Sequence, residues 1–213
     1  MSATATGDGK PASTKARLLE SATDLFSRQG FGATGIKAVL AVAEAPYGSL
    51  YHFFPGGKQE LGAAALTYGG ERYRATLASV YPENSDVVQN TADSFARAAQ
   101  TLEETDFGYA CPIATIALET ANNDEVMREA AAAAFESWLV LLQERLVRAG
   151  MPDGRARDVA IEVFCLMEGA VLLARTTRSV APMHTAGKAA TTLVTAALEQ
   201  SRKNRSAGNN QAN

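Results

Sequence analysis

Apolar residues recur every three to four positions through most of this chain, the spacing of one face of a helix. The best organised stretch runs from Thr34 to Leu61, TGIKAVLAVAEAPYGSLYHFFPGGKQEL. Ile36, Val39, Leu40 and Ala43 give one apolar helical face, and Thr34 stands where an N-cap belongs. Glu44 and Ala45 leave room for only a short turn. Pro46 then suits the first position of a second helix, because its fixed φ is helical and its missing N–H has no partner there anyway. That helix turns Tyr47, Gly48, Ser49, Tyr51 and His52 outward, while Leu50 and Phe54 anchor it inward. Pro55, Gly56 and Gly57 end it. Two short helices joined in this way form a helix-turn-helix, whose second helix can enter a DNA major groove.

The same pattern assigns helices to the rest of the chain. Ser13 or Thr14 caps a first helix with a stripe of Leu18, Ala22, Leu25 and Phe26, closed by Gly30. Lys58 opens a longer helix that ends near Tyr81 and Pro82. Further helices are predicted near 85–104, 112–122, 124–149, 155–177 and 184–201, with Pro112, Gly150, Pro152, Gly154 and Pro182 as boundaries. The helix at 155–177 has two apolar faces. Val159, Val163, Leu166, Met167, Ala170 and Leu173 form one; Ile161, Phe164, Val171 and Leu172 form the other. A helix apolar on most sides must be buried on most sides, so a second protomer is the expected neighbour. Gly169 and Ala170 allow close approach there, and the helix at 184–201 completes a four-helix contact. The result is an all-α protein: a three-helix DNA-binding head at 12–74 with its helix-turn-helix at 35–54, a helical dimerisation body at 75–201, for which the family resemblance given below implies ligand binding as well, and flexible tails at 1–11 and 202–213.

Composition adds three constraints. Apolar residues make up 46% of 213, enough for a sizeable core. The formal charge of −3 excludes a polybasic nucleic-acid binder, yet residues 1–80 hold 8 Lys/Arg against 6 Asp/Glu, and the remainder 12 against 17. A modestly basic end on an acidic body suits a head that touches DNA and a body that stays off it. The two cysteines, Cys111 and Cys165, have no metal-ligand spacing. With no signal-peptide pattern at the start and no apolar run long enough to span a bilayer, a cytoplasmic protein is expected.

At the outward face, Gly48 removes a side chain where backbone must approach DNA, and Ser49 can bond a base or phosphate. Tyr51 and His52 can reach phosphate, and Lys58 at a helix start can clamp one. In a left-handed turn Glu44 costs about 1–2 kcal/mol. Phe107, Tyr109, Cys111, Met127, Phe135, Trp138, Phe164 and Met167 can either line a pocket or fill the core. No catalytic triad or carboxylate constellation is visible, and neither His184 nor His52 has the context of one.

The stretch Gly35 to Phe54, with its Leu50-Tyr51 pair, resembles the DNA-binding domain of the TetR/AcrR family of bacterial repressors. The run GSLYHFFPGGKQEL and, less specifically, Glu168 to Arg175 resemble its LmrA/YxaF-like branch. The resemblance implies DNA contacts from Thr34, Gly35, Lys37, Pro46, Tyr47, Gly48, Ser49, Tyr51, His52 and Lys58. It also implies ligand contacts among Phe107, Tyr109, Cys111, Trp138, Phe164 and Met167. Many relatives carry their His one position later, where this chain has Phe53. The expected protein is a homodimeric repressor without cofactor, metal, membrane partner or enzymatic activity, released from a palindromic operator in double-stranded DNA by a small, largely apolar molecule. An architectural DNA-binding protein without a ligand, a helical enzyme, and a redox switch through either cysteine are the competing readings.

Overall fold

Nine α-helices account for most of the described residues; the computed structural model describes residues 12–108 and 110–211, with side chains as far as residue 207. Helix α1 (Thr14–Gln29) begins where the Ser13 hydroxyl accepts the Ala16 N–H at 3.2 Å, satisfying one of the donors that a helix start leaves free. It ends at Gly30, in a left-handed φ of 86°. Helices α2 (Ile36–Val42) and α3 (Tyr47–Phe53) pack on α1, and Leu18, Phe26, Leu40, Leu50 and Phe54 meet in the core, as their spacing predicts. Two details differ from the sequence reading. Gly35, not Thr34, is the N-cap of α2; the Thr34 side chain is buried, with its hydroxyl donating to the Gly30 carbonyl at 2.7 Å. Pro46 is the N-cap of α3, so the helix itself starts at Tyr47.

Helix α4 (Gly57–Val80) leaves the head and enters the body, where α7 (Glu125–Arg148) lies against it. A Cβ added at Gly70 would lie 2.7 Å from the Ala134 Cβ, so the two backbones approach where α4 has no side chain. One turn further along α7, Trp138 is fully buried and its indole N–H donates to the Gly70 carbonyl at 2.9 Å. Its ring meets Tyr73 at 4.4 Å and Phe135 at 5.3 Å between centroids. Phe164 of α8 (Asp153–Thr177) stacks on it at 6.1 Å. Truncating such a residue costs about 3–5 kcal/mol, and this one ties three helices together.

Helix α5 (Val87–Glu104), capped by Asp86, packs on α9 (Ala181–Gln211), which also lies against α8. The short α6 (Pro112–Thr120) contacts α1, α4 and α7. Helix α9 departs from expectation at both ends. Pro182 lies within its first turn, where an N–H has no helical partner to lose. The polar run after Ser201 continues as helix to Gln211 rather than as a tail. The faces of α8 are also redistributed. Ala170 is buried in the core, while Ile161, Cys165, Gly169, Leu172 and Leu173 form an exposed stripe. The stretch 1–11 and Tyr109 lie outside the described residues.

The α2–α3 turn places Glu44 at a φ of 49°, the left-handed region where a Cβ crowds the backbone. Glu44→Gly is therefore expected to raise stability by about 1 kcal/mol. The melting temperature should rise by about 2–4 °C, measured by calorimetry. An unchanged or lower value would mean that the glutamate side chain compensates the strain.

Candidate functional site

The outer face of α2 and α3 is assembled from sequence neighbours, so the structure brings together most of the residues that the spacing selects. Lys37, Pro46, Tyr47, Gly48, Tyr51 and His52 are exposed, Ser49 is half-buried, and Gly35 and Gly48 have open space where a Cβ would be. Tyr47 and Tyr51 sit one turn apart with ring centroids 5.9 Å from each other. The side-chain bond from Tyr47 holds the Tyr51 phenol above its ordinary range, so Tyr51 keeps its proton near neutrality and does not repel phosphate. The His52 ring rests edge-on against Phe53 at 4.7 Å. Arg17, which local spacing does not reveal, steadies this face from α1: its Nε donates to the Ala43 carbonyl at 2.9 Å and closes the end of α2.

Two expected contacts take other roles. Thr34 is buried in the α1–α2 turn and has no route to DNA. Lys58 is half-buried, its ammonium 4.4 Å from the Phe31 ring centroid and 3.4 Å from the Gly32 carbonyl. The α4 N-terminus beside it already holds an anion, because the Glu60 carboxylate accepts the Gly56 N–H at 2.7 Å. Lys58 thus braces the α1–α2 turn.

The same turn is held from the body. The Glu119 carboxylate of α6 accepts the Phe31 N–H at 3.1 Å and the Gly32 N–H at 2.6 Å. A side chain at Gly30 would collide with that carboxylate. The bonds span 87 and 88 positions of sequence, and no local pattern announces them.

At the other end of α6, Cys111 forms its N-cap and lines two cavities. The first, about 500 Å³, lies between α4, α5 and α8 and is lined by Tyr73, Leu77, Arg97 and Met167 among others. The second, about 590 Å³, lies between α6, α7 and α8, with Phe135, Leu118, Leu172 and Arg175 in its wall. Ala110, Cys111, Glu168 and Val171 belong to both. Both volumes fall in the range of small-molecule sites. Of the sequence-selected ligand residues, Cys111, Met167 and the more broadly considered Phe135 reach these cavities. Trp138 and Phe164 line neither, because they are spent in the α4–α7–α8 core. Phe107 also lines neither; it has a left-handed φ of 58°, its carbonyl accepts the Arg175 Nε–H at 3.2 Å, and its ring lies under Arg178. Tyr109 lies outside the described residues.

Between the cavities, burial raises the Glu168 carboxyl above the usual carboxylate range, and its bond with Cys111 opposes that rise. Burial also pushes the Cys111 thiol well above its ordinary value, and the Glu168 charge adds to the effect. A thiol held protonated is a poor nucleophile, which disfavours a redox role for Cys111. Among the described residues, no cluster of His, Cys, Asp or Glu could hold a metal ion, and no helix is long and apolar enough to cross a membrane.

A helix-turn-helix head joined by one long helix to an all-helical body defines a DNA-binding regulator. The family model of bacterial regulatory proteins of the tetR family matches residues 18–65, and that of the LmrA/YxaF-like transcriptional regulator C-terminal domain matches residues 87–189. The HTH-type transcriptional regulator YxaF of Bacillus subtilis is 30% identical over 167 residues, covering 78% of this chain and 87% of that protein. The HTH-type transcriptional regulator Rv0196 of Mycobacterium tuberculosis is 35% identical over 172 residues, covering 78% of this chain and 87% of that one. The fold matches that of reduced NemR from E. coli with a TM-score of 0.72 at 23% identity, covering 83% of this chain and 95% of that one. The chain belongs to the TetR family of transcriptional regulators, in its LmrA/YxaF-like branch.

The Glu168 environment has a measurable consequence. Its carboxyl titrates higher in the folded chain than in the unfolded one, so the stability it contributes is present at low pH and lost as pH rises through the folded value. Glu168→Gln keeps an acceptor for the Cys111 thiol and removes the charge. The variant should melt higher than the parent near neutral pH, with the difference vanishing below about pH 4, where both are uncharged. Melting curves across pH test this; a variant that melts lower throughout would contradict it.

Proposed function

We propose that the chain is a homodimeric repressor whose operator binding is released by a small molecule held in the body. The observation that carries this reading is the double attachment of α6: its first residues wall the cavities, and Glu119 near its end holds the turn of the DNA-binding head. A molecule that displaces the start of α6 shifts the head through that carboxylate. Affinity for DNA falls because the two forms of the dimer space their heads differently. The open cavities favour this reading over an architectural protein with a closed body. The exposed apolar stripe of α8, with Leu172 and Leu173 more than half exposed, supports dimerisation through that helix. Two copies of α3 then read successive major grooves of a palindromic site, with Tyr47, Gly48, Ser49 and Lys37 at the base edges and Tyr51 and His52 near phosphate.

The test is to recover and sequence the DNA fragments bound by the purified protein, and to measure two variants on the recovered site. A palindromic consensus is expected. Tyr47→Ala should weaken binding about tenfold and relax base preference. Gly169→Trp, placed on the exposed stripe with open space around it in one protomer, should sediment as a monomer and lose operator binding. Recovered fragments with no shared sequence, or a monomer that still binds the site as tightly, would refute the proposal.

A further inference from the structure

We propose that Arg17 is the positioning residue of the recognition helix. Its guanidinium holds the α2–α3 turn, where a glutamate occupies a left-handed position, and so sets the direction in which α3 meets DNA. The inference rests on reading the outer face of α3 as the DNA-reading surface.

The turn is closed by its own backbone in a pattern that favours glycine. The Ala45 N–H donates to the Leu40 carbonyl at 3.0 Å and the Glu44 N–H to the Ala41 carbonyl at 3.3 Å, with Glu44 between them at a φ of 49°. Helices that end this way place glycine at the left-handed residue, because a Cβ there crowds the backbone. Only Ala45 and Pro46 separate Glu44 from α3, and the φ of Pro46, −60°, is fixed by its ring. A turn that relaxes at Glu44 therefore redirects the whole of α3 and carries Tyr47, Gly48 and Ser49 with it.

Arg17 opposes that relaxation from α1. Its Nε–H donates to the Ala43 carbonyl at 2.9 Å and an Nη2–H reaches the Glu44 carbonyl at 3.5 Å, so one guanidinium spans the left-handed step. Its third nitrogen, Nη1, donates to the Ala12 carbonyl at 2.9 Å. A cation at the carbonyl end of a helix is favoured by the helix dipole as well as by these charge-assisted bonds. The neighbouring carboxylates of α1 leave it there: Asp24 pairs with Arg28 and Glu20 with Arg72. Among the described residues, none forms an ion pair with Arg17. The cleft of about 500 Å³ that Arg17 lines is walled by α1, the end of α2, α4 and Pro112, and no residue of α3 belongs to it. Arg17 thus acts on the α3 face through the turn, not from the face itself.

The experiment uses the full-length protein, the DNA site recovered with it and a scrambled duplex of the same length. Arg17→Met should weaken binding to the site about tenfold, the loss of charged hydrogen bonds, and leave the salt dependence of binding unchanged. Amide hydrogen exchange from Glu44 to Phe54 should quicken in that variant while α7 keeps its rate. Adding Glu44→Gly to Arg17→Met should restore both affinity and slow exchange, because glycine holds the left-handed turn without a clamp. Arg17→Lys, a cation without the fork, should recover only part. A salt slope smaller by about 1, with scrambled DNA weakened as much as the site, would make Arg17 a phosphate contact and overturn the proposal. So would a double variant no better than Arg17→Met, or exchange that quickens in α7 as well. Selective binding left unchanged by Arg17→Met would overturn this inference alone. A parent protein that prefers no sequence would overturn the DNA-reading role of α3 together with it.

Discussion

One carboxylate joins the two halves of this protein at a point where the chain does not. Glu119 accepts two successive backbone N–H groups in the α1–α2 turn, a charge-assisted arrangement that fixes direction as well as distance. It projects from the last turn of a nine-residue helix whose N-cap, Cys111, lines both cavities. Eight residues separate the two ends, about 12 Å of helix, a rod too short to bend. In the proposed mechanism a displacement at Cys111 and Pro112 is carried along this helix to Phe31 and Gly32. Lys58 strengthens the receiving end, because its ammonium lies over Phe31 and bonds the Gly32 carbonyl.

The rest of the body gives α6 something rigid to move against. Helix α4 is the covalent link between head and body, and it is locked to α7 where Gly70 meets Ala134 and where Trp138 bonds the Gly70 carbonyl. Phe164 carries that contact on to α8. By contrast α6 is short and carries Leu118 with 82% of its surface exposed. In the proposed mechanism the large aromatic residues hold the frame, while Cys111, Met167 and Glu168 face the molecule that moves within it.

The head was legible in the sequence because its geometry is set by near neighbours. The spacing of Leu50 and Phe54, the position of Pro46 and the break at Pro55 to Gly57 determine two helices and an exposed face with no distant information. The partners of Thr34 and Lys58, Gly30 in one case and Phe31 with Gly32 in the other, carry no local signal because they are chosen by how the α1–α2 turn closes. The body was legible as helices but not as faces. Helices α7 and α8 are apolar on most sides, so periodicity alone does not say which aromatic residue meets a cavity and which meets another helix. Trp138 and Phe164 went to the core, whereas Cys111 and Met167 went to cavity walls. Glu119 carries no sequence signal, since it looks like an ordinary helical glutamate until the fold gives it the Phe31 and Gly32 N–H groups, and the run that contains Glu168 does not reveal its bond with Cys111.

The most direct test of the account is the distance between the two heads of the dimer in solution, with and without the Glu119 carboxylate. Nitroxide labels placed at exposed Gln29, in a background with Cys165 replaced by Ser, report that distance by pulsed electron resonance. The account predicts a narrow distribution in the parent protein and a broader, shifted one in Glu119→Ala, with the melting temperature little changed. An identical distribution in both would contradict the claim that this carboxylate couples the head to the body.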